Sequence, residues 1–435
     1  MPILYTFYGD DFTGSTDVLE QLASNGVPTV LYLTPPTAAQ LAAFPEAQAV
    51  GIAGDSRSRS PEWMFAYLPP IFAALKQFHA PIAHYKVCST FDSAPSLGNI
   101  GRAIEIGREI FAPRFVPIVV GAPHLRRYLA FGNLFAAAPD GLIYRIDRHP
   151  MSRHPATPMN EADLRLHLGS QTSTPTGLVD LVALQSGTSS EVLDAEIQAG
   201  NQAILFDTID RSTQEAVGNL LWREALRQPM FSVSSSGLTA ALIPAWRNEG
   251  LLPPSVPRSN VEEAAPLLVL SGSCSAATER QLRWAFAHGY EGISIDPAPL
   301  LAPETAIVTR AAVLETTAAS LAVGRNTVLY TALGRAGVQV QGERLGSALG
   351  SLLAELLTLT TCRRVLLCGG DTSSHAVQQL GLIALTWLAN LQPGAPLCRA
   401  HPDVQHSHLH NLELVLKGGQ VGTEDFFDVV RAPGN

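Results

Sequence analysis

Short apolar runs alternate with amphipathic stretches of helical period, and polar loops separate the two. Ile3 to Phe7 is an apolar and aromatic run of strand type, and Thr16 to Asn25 follows with Val18, Leu19, Leu22 and Ala23 on one helical face before Gly26 stops it. Val27 to Leu33 reads as a second strand, which completes a strand–loop–helix–strand unit. The pattern recurs at 48–53, 81–86 and 115–120, strands that end in the polar loops Gly54–Ser60, Cys88–Ser93 and Gly121–His124. A long helical region from Pro61 is expected to break at Pro69-Pro70. Further strands are predicted at 178–184 and 203–208, and helices at 190–199, 214–227 and 237–249.

The proline-rich stretch from Gly250 to Asn260 reads as a linker, after which the alternation restarts. Strands are predicted at 266–270, 292–295, 327–331, 364–368 and 412–416, and helices at 276–288, 311–323 and 345–360. The predicted fold is therefore α/β, in two domains, each a mainly parallel sheet flanked by helices. Residues 1–250 form the first domain, 251–262 the linker and 263–435 the second domain. In an open parallel sheet the loops at the carboxyl ends of the strands gather along one edge, so residues distant in sequence converge on one crevice.

Composition agrees with this division. At 435 residues the chain exceeds what one core supports, and 46% apolar against 15% charged residues leaves material for two large sheets. No stretch approaches the ~18 uninterrupted apolar residues of a membrane helix. The first residues carry neither a basic region nor a small-residue cleavage site, so a cytoplasmic location is expected. Cys88, Cys274, Cys362, Cys368 and Cys398 lack CxxC spacing and are read as reduced thiols rather than as a disulfide framework or a zinc site. A net charge of −9 with no basic cluster excludes nucleic acid as a partner, whereas a few local cations suffice for a small anion.

The candidate chemistry sits at the strand ends. Tyr8-Gly9-Asp10-Asp11-Phe12-Thr13-Gly14-Ser15-Thr16-Asp17 is too polar for a core segment. Asp10 and Asp11 suit a general base or acceptors for a substrate hydroxyl, and Thr13 and Gly14 let backbone amides approach an anion. A solvated turn with Ser15 or Thr16 as N-cap fits the same residues. Lys86 with Ser89, Thr90, Asp92 and Ser93 offers a carboxylate site or a salt-bridged, capped helix start. Ser56 and Arg57 offer an arginine fork or a surface loop. In the second half, Ser271-Gly-Ser273-Cys-Ser275 and Gly369-Gly370-Asp371-Thr372-Ser373 each join a strand to a helix. Small residues and hydroxyls there suit a phosphate cradle as well as a tight turn. Neither stretch matches Walker A or GxGxxG. Lys417-Gly418-Gly419 is a third glycine loop, and His401, His406, His408 and His410 read as a solvated segment.

Together these stretches resemble the four-carbon acid sugar kinase family. The resemblance rests on Asp10-Asp11-Phe12-Thr13-Gly14 with Asp17, on Ser56-Arg57, and on Lys86 with Ser89–Ser93 and Gly98–Gly101. It continues through His154-Pro155, Thr157-Pro158-Met159, Ser271–Ser275, Gly369–Ser373, and Lys417-x-Gly419 ahead of Asp425-Phe426-Phe427. It implies a sugar-binding N-terminal domain, a nucleotide-binding C-terminal domain and an active site in the cleft between them. The implied reaction is ATP-dependent phosphorylation of a terminal hydroxyl on a small sugar acid such as threonate, erythronate or 3-oxo-tetronate. Ser-Thr-Phe-Asp-Ser after Lys86 looks closest to the 3-oxo-tetronate kinase branch. Lys-Gly-Gly-Gln-Val-Gly at 417–422 and the arginines Arg145, Arg148 and Arg153 depart from that branch, which brings in 3-oxo-isoapionate as an alternative.

In the roles so implied, Asp10 or Asp11 takes the hydroxyl, and Arg57, Lys86, Ser89 and Thr90 take the carboxylate. Thr13, Gly14, Asp17, Ser56 and Asp92 complete the substrate site. Ser271, Ser273, Gly369, Gly370, Asp371, Thr372 and Gly419 cradle ATP, with Asp371 holding Mg²⁺ directly or through water. The partner is a small anionic sugar acid, with no membrane and no nucleic acid, and a homo-oligomer stays open. A sugar-acid sensor would call for a fused output module, and a dehydrogenase for a dinucleotide turn; the sequence contains neither.

Overall fold

The computed structural model describes residues 2–138, 140–154, 156–253, 256, 261–334 and 342–433, and only the backbone of Asp371. Pro155 and much of the predicted linker lie outside the described residues. Two compact units account for the chain: Met1–Thr29 with Leu41–Val256, and Val30–Gln40 with Pro257–Asn435. In the first unit, four parallel strands run in the order Met230–Ser234, Ile82–Lys86, Tyr5–Gly9, Ala49–Ala53, in register Ser234↔Lys86↔Gly9↔Ala53. A second parallel sheet orders Val116–Ile118, Ala203–Phe206, Thr176–Val179. It is tied to the first where the Ser235 amide donates to Val119 O (2.9 Å) and the Val119 amide to Ser234 Oγ (2.8 Å). An antiparallel meander, Arg127–Ala130, Asn133–Ala137, Ile143–Arg145, extends from the end of the strand Val116–Ile118.

Several predicted boundaries shift for local reasons. The first helix is Phe12–Ala23, with Asp11 rather than Ser15 or Thr16 as its N-cap, because the Asp11 carboxylate accepts the Gly14 amide at 2.7 Å. Pro61–Lys76 is continuous through Pro69 and Pro70. Met64, Leu68, Phe72 and Leu75 are all buried on one stripe, and that packing outweighs the lost backbone bonds. The strand predicted at 178–184 ends at Val179, where Asp180 caps the helix Leu181–Ser186. The strand Met230–Ser234 and the meander escaped the sequence reading.

The second unit's sheet runs from residues 30–32 through Leu382–Gln392, Ala395–Pro402, Glu413–Lys417, Arg364–Cys368, Leu267–Ser271 and Thr327–Tyr330 to Glu291–Ser294. Its first three pairings are antiparallel and the rest parallel, and residues 30–32 lie antiparallel to Leu382–Gln392. Arg364 is buried at the base of this sheet. Its Nε donates to Glu413 Oε2 (2.8 Å), Nη1 to the carbonyls of Val430 and Arg431 (2.9 Å each) and Nη2 to Glu262 O (2.8 Å). Arg364→Met takes a donor from three carbonyls and from Glu413, although Arg431 O keeps the Ala264 amide (2.9 Å) and Glu413 keeps Arg399 (3.6 Å), and is expected to cost about 3–5 kcal/mol in denaturant unfolding. A loss below about 1 kcal/mol would show the cluster to be dispensable.

Candidate active site

The carboxyl edge of the first unit's sheet carries a compact charged cluster. The Asp10 amide donates to Lys86 O (2.9 Å) and the Arg57 amide to Asp10 O (3.0 Å), so the three strand ends are stitched together before any side chain acts. Arg57 then places Nη2 3.0 Å from Asp10 Oδ1, Nε 3.3 Å from Asp10 Oδ2 and Nη1 2.9 Å from Asp11 Oδ2. Asp11 also accepts from Thr13 Oγ1 (2.9 Å). Asp10 is only 4% exposed, and burial pushes its carboxyl up to about 6, with Asp11 adding to the rise and Arg57 and Lys86 pulling it back. Burial works against the Arg57 charge, but Asp10 and Asp11 outweigh it and raise its pKa.

Lys86 is buried beside them. A Cβ at position 14 would lie 2.4 Å from Asp11 Oδ1 and 2.9 Å from Lys86 Nζ, so glycine there is what lets the ammonium reach the helix start. In the next loop Thr90 Oγ1 donates to Asp92 Oδ1 (2.6 Å). Burial raises the Asp92 carboxyl, yet Arg57 and the bonds from Thr90 and Cys88 hold it below the usual range. Ser89 is half-buried in the same loop. Asp17 is buried, and its Oδ1 has no hydrogen-bond partner among the described residues.

The structure thus brings Asp10, Asp11, Thr13, Gly14, Arg57, Lys86, Thr90 and Asp92 together. It turns Ser56 inward, where its hydroxyl pairs with Tyr85 Oη (2.8 Å) in the core. Ser93 likewise faces His167 Nε2 (2.8 Å) and Gln171. The helix Ile100–Phe111 is closed off internally, because Asn99 accepts the Arg102 amide (2.6 Å) and Gln171 the Ile100 amide (2.8 Å). Two residues were not assigned to the site from the sequence, His124, which lies in a strand-end loop already read there, and Arg127. Burial lowers the His124 pKa against the pull of Asp17, and burial likewise lowers the Arg127 pKa. The strand-end loop Gly121–His124 was the available signal.

In the second unit three strand ends stand side by side, in register Ser271↔Cys368↔Lys417. Ser275 caps the helix Ala276–Ala287 and donates to Gly419 O, which also accepts from Thr278 Oγ1 (3.2 Å). Lys417 Nζ, buried, donates to Thr278 Oγ1 (3.0 Å) and Gly418 O (3.1 Å). The Gly369 amide donates to Lys417 O (2.9 Å) just before the helix Gly370–Val377. A Cβ at Gly272 would fall 2.2 Å from Thr372 Oγ1, and one at Gly419 would fall 3.3 Å from Ser273 Oγ. Ser271 Oγ is buried with no partner among the described residues. Two helix N-termini and three glycine-bearing loops on one edge suit polyphosphate, since unpaired amides and the helix dipoles favour negative charge. The Asp371 side chain lies outside the described residues.

A carboxylate and cation cluster on one α/β unit and a phosphate-type cradle on another define a phosphotransferase with a small polar acceptor. Family models agree: a sugar-binding N-terminal domain matches residues 5–242, and a nucleotide-binding C-terminal domain matches residues 268–427. The chain belongs to the four-carbon acid sugar kinase family and is a sugar acid kinase. It is 42% identical over 446 residues to a 3-oxo-isoapionate kinase of Paraburkholderia graminis, covering 99% of this chain and 94% of that one. It is 31% identical to a 3-oxo-tetronate kinase of Methylobacterium radiotolerans, covering 96% of each. A crystal structure from Salmonella typhimurium superposes with a TM-score of 0.77 at 26% identity over 98% of both chains. A Haemophilus influenzae protein, at 24% identity and a TM-score of 0.71 over 98% of both chains, shares the fold. No described helix is long and apolar enough to cross a membrane.

Proposed function

We propose that the chain transfers the terminal phosphoryl group of ATP to a terminal hydroxyl of a 3-oxo sugar acid, with a 3-oxo-isoapionate-like acid ahead of a 3-oxo-tetronate-like one. The 42% against 31% identity supports that order, as do the Lys417–Gly422 loop and the arginines at 145, 148 and 153. Threonate and erythronate complete the range of acids to assay. The observation that carries the reaction is the Asp10–Arg57–Asp11 cluster beside Lys86. Asp10 is the general base: its carboxyl is pushed up to about 6, near working pH, and each oxygen accepts a single bond from Arg57. Asp11, spent on Gly14, Thr13 and Arg57, orients the hydroxyl. Lys86, Ser89, Thr90, Asp92 and Asp17 line the acid, and Arg57 holds the two aspartates in place.

On the nucleotide side Ser271, Ser273, Gly369, Gly370, Thr372 and Gly419 cradle the phosphates, and Asp371 is the residue assigned to Mg²⁺. ATP supplies the phosphoryl group and Mg²⁺ offsets its charge. Partners are confined to small molecules and, on this reading, a further copy of the chain, which light scattering would detect. Release of ADP across a panel of four- and five-carbon sugar acids tests the whole reading. Turnover is expected with 3-oxo acids above the others. Tight acid binding without ADP from any acid would replace the kinase with a sensor.

A further inference from the structure

Arg127 is a half-buried cation of the first unit with no carboxylate partner among the described residues. Arg57 directs Nε and both terminal nitrogens at Asp10 and Asp11. Arg114 is paired with Asp194 and Glu224, and Arg165 with Asp163. Arg127 differs. It begins the meander at the edge where Ala122 and Arg127 exchange amide–carbonyl bonds (2.9 and 3.1 Å), one turn past the strand tied to Ser234 and hence to Lys86. The side chain is half-buried. Its Nη1 donates only to the carbonyls of Leu125 (3.0 Å), Arg126 (3.2 Å) and Ala137 (3.4 Å). Its Nε is buried without a partner, and among the described residues no carboxylate pairs with it.

A half-buried guanidinium lacking a counter-anion is costly, and an anionic ligand removes that cost. The fork of an arginine matches a carboxylate in two parallel bonds. We propose that Arg127, rather than Arg57, receives the carboxylate of the sugar acid, with Asp10 and Asp11 reserved for the hydroxyl end. The inference rests on the sugar-acid reading above and adds the residue that makes an acid the substrate rather than the corresponding polyol. The carbonyl bonds of Nη1 hold the guanidinium in place, so its orientation is set before ligand arrives.

Calorimetry without nucleotide tests this, with threonate and erythronate as the acids and threitol and erythritol as the neutral comparators. Wild type is expected to prefer acid over alditol by about 100-fold, of the order a charge-assisted bidentate pair provides. Arg127→Met should erase that preference by weakening the acid alone, and Arg127→Lys should restore part of it. Equal weakening of acid and alditol, an unchanged ratio in Arg127→Met, or a wild type without preference overturns the assignment. Circular dichroism of each variant separates unfolding from lost binding, and a wild-type structure that collapses in Arg127→Met leaves Arg127→Lys to decide. ADP release is measured in parallel. No ADP together with Arg127-dependent acid binding would remove the kinase reading and leave this inference standing.

Discussion

Asp10→Asn is expected to lower kcat at least 100-fold while leaving nucleotide affinity unchanged, because a positioned general base contributes about 10²- to 10⁴-fold. Wild-type kcat should rise with pH through an acid limb centred near 6, where burial places the Asp10 carboxyl. That limb should be missing from the residual activity of Asp10→Asn and retained in Asp11→Asn. Stability should move the other way. The folded-state pKa is raised above the unfolded value of about 3.9, so the fold prefers protonated Asp10. That contribution is complete below about pH 4 and disappears as pH rises through about 6. Wild type should therefore lose about 2–3 kcal/mol between those limits, and Asp10→Asn, which cannot titrate, should gain relative stability at pH 8 over pH 5. An acid limb that persists in Asp10→Asn would transfer the base role to Asp11.

Gly272→Ala should weaken ATP binding at least 10-fold and leave sugar-acid binding intact. The new Cβ would sit 2.2 Å from Thr372 Oγ1 and 3.3 Å from Thr372 Cβ and Cγ2. A β-branched side chain has few rotamers into which it can retreat. The start of the helix Gly370–Val377 would have to move, and a displacement of about 1 Å at a phosphate cradle is enough to cost tens-fold. Gly418→Ala is the matched control, since its Cβ would meet only Val421 Cγ2, at an ordinary 3.5 Å. Equal nucleotide affinities for the two variants and wild type, measured by fluorescence titration, would take the Ser271–Ser275 loop out of the nucleotide site.

Strand ends were legible because they combine two signals, an apolar run that stops and a polar loop that begins. Arg364–Cys368 was located to the residue, and the first strand shifted by only two. The aspartate loop was legible as a candidate site but not as a helix start, since Phe12 to Thr16 lacks a helical apolar stripe and the helix begins on the Asp11 cap. The meander and Arg127 were illegible. Arg127–Ala130 is four residues long and buries only Leu129, too few positions for a strand period to show. A cation without a partner cannot be recognised until every other pairing is known.

The sequence by itself determined the α/β class, the two-unit plan and the strand-end loops proposed to carry the chemistry, because hydrophobic period and helix capping are local properties. Only the tertiary structure decided which charges are spent and which remain. It set Arg57 between Asp10 and Asp11, turned Ser56 into the core, raised the Asp10 carboxyl by burial and left Arg127 without an anion. These outcomes depend on distances and desolvation between residues some 30 to 80 positions apart in the sequence, which no local pattern records.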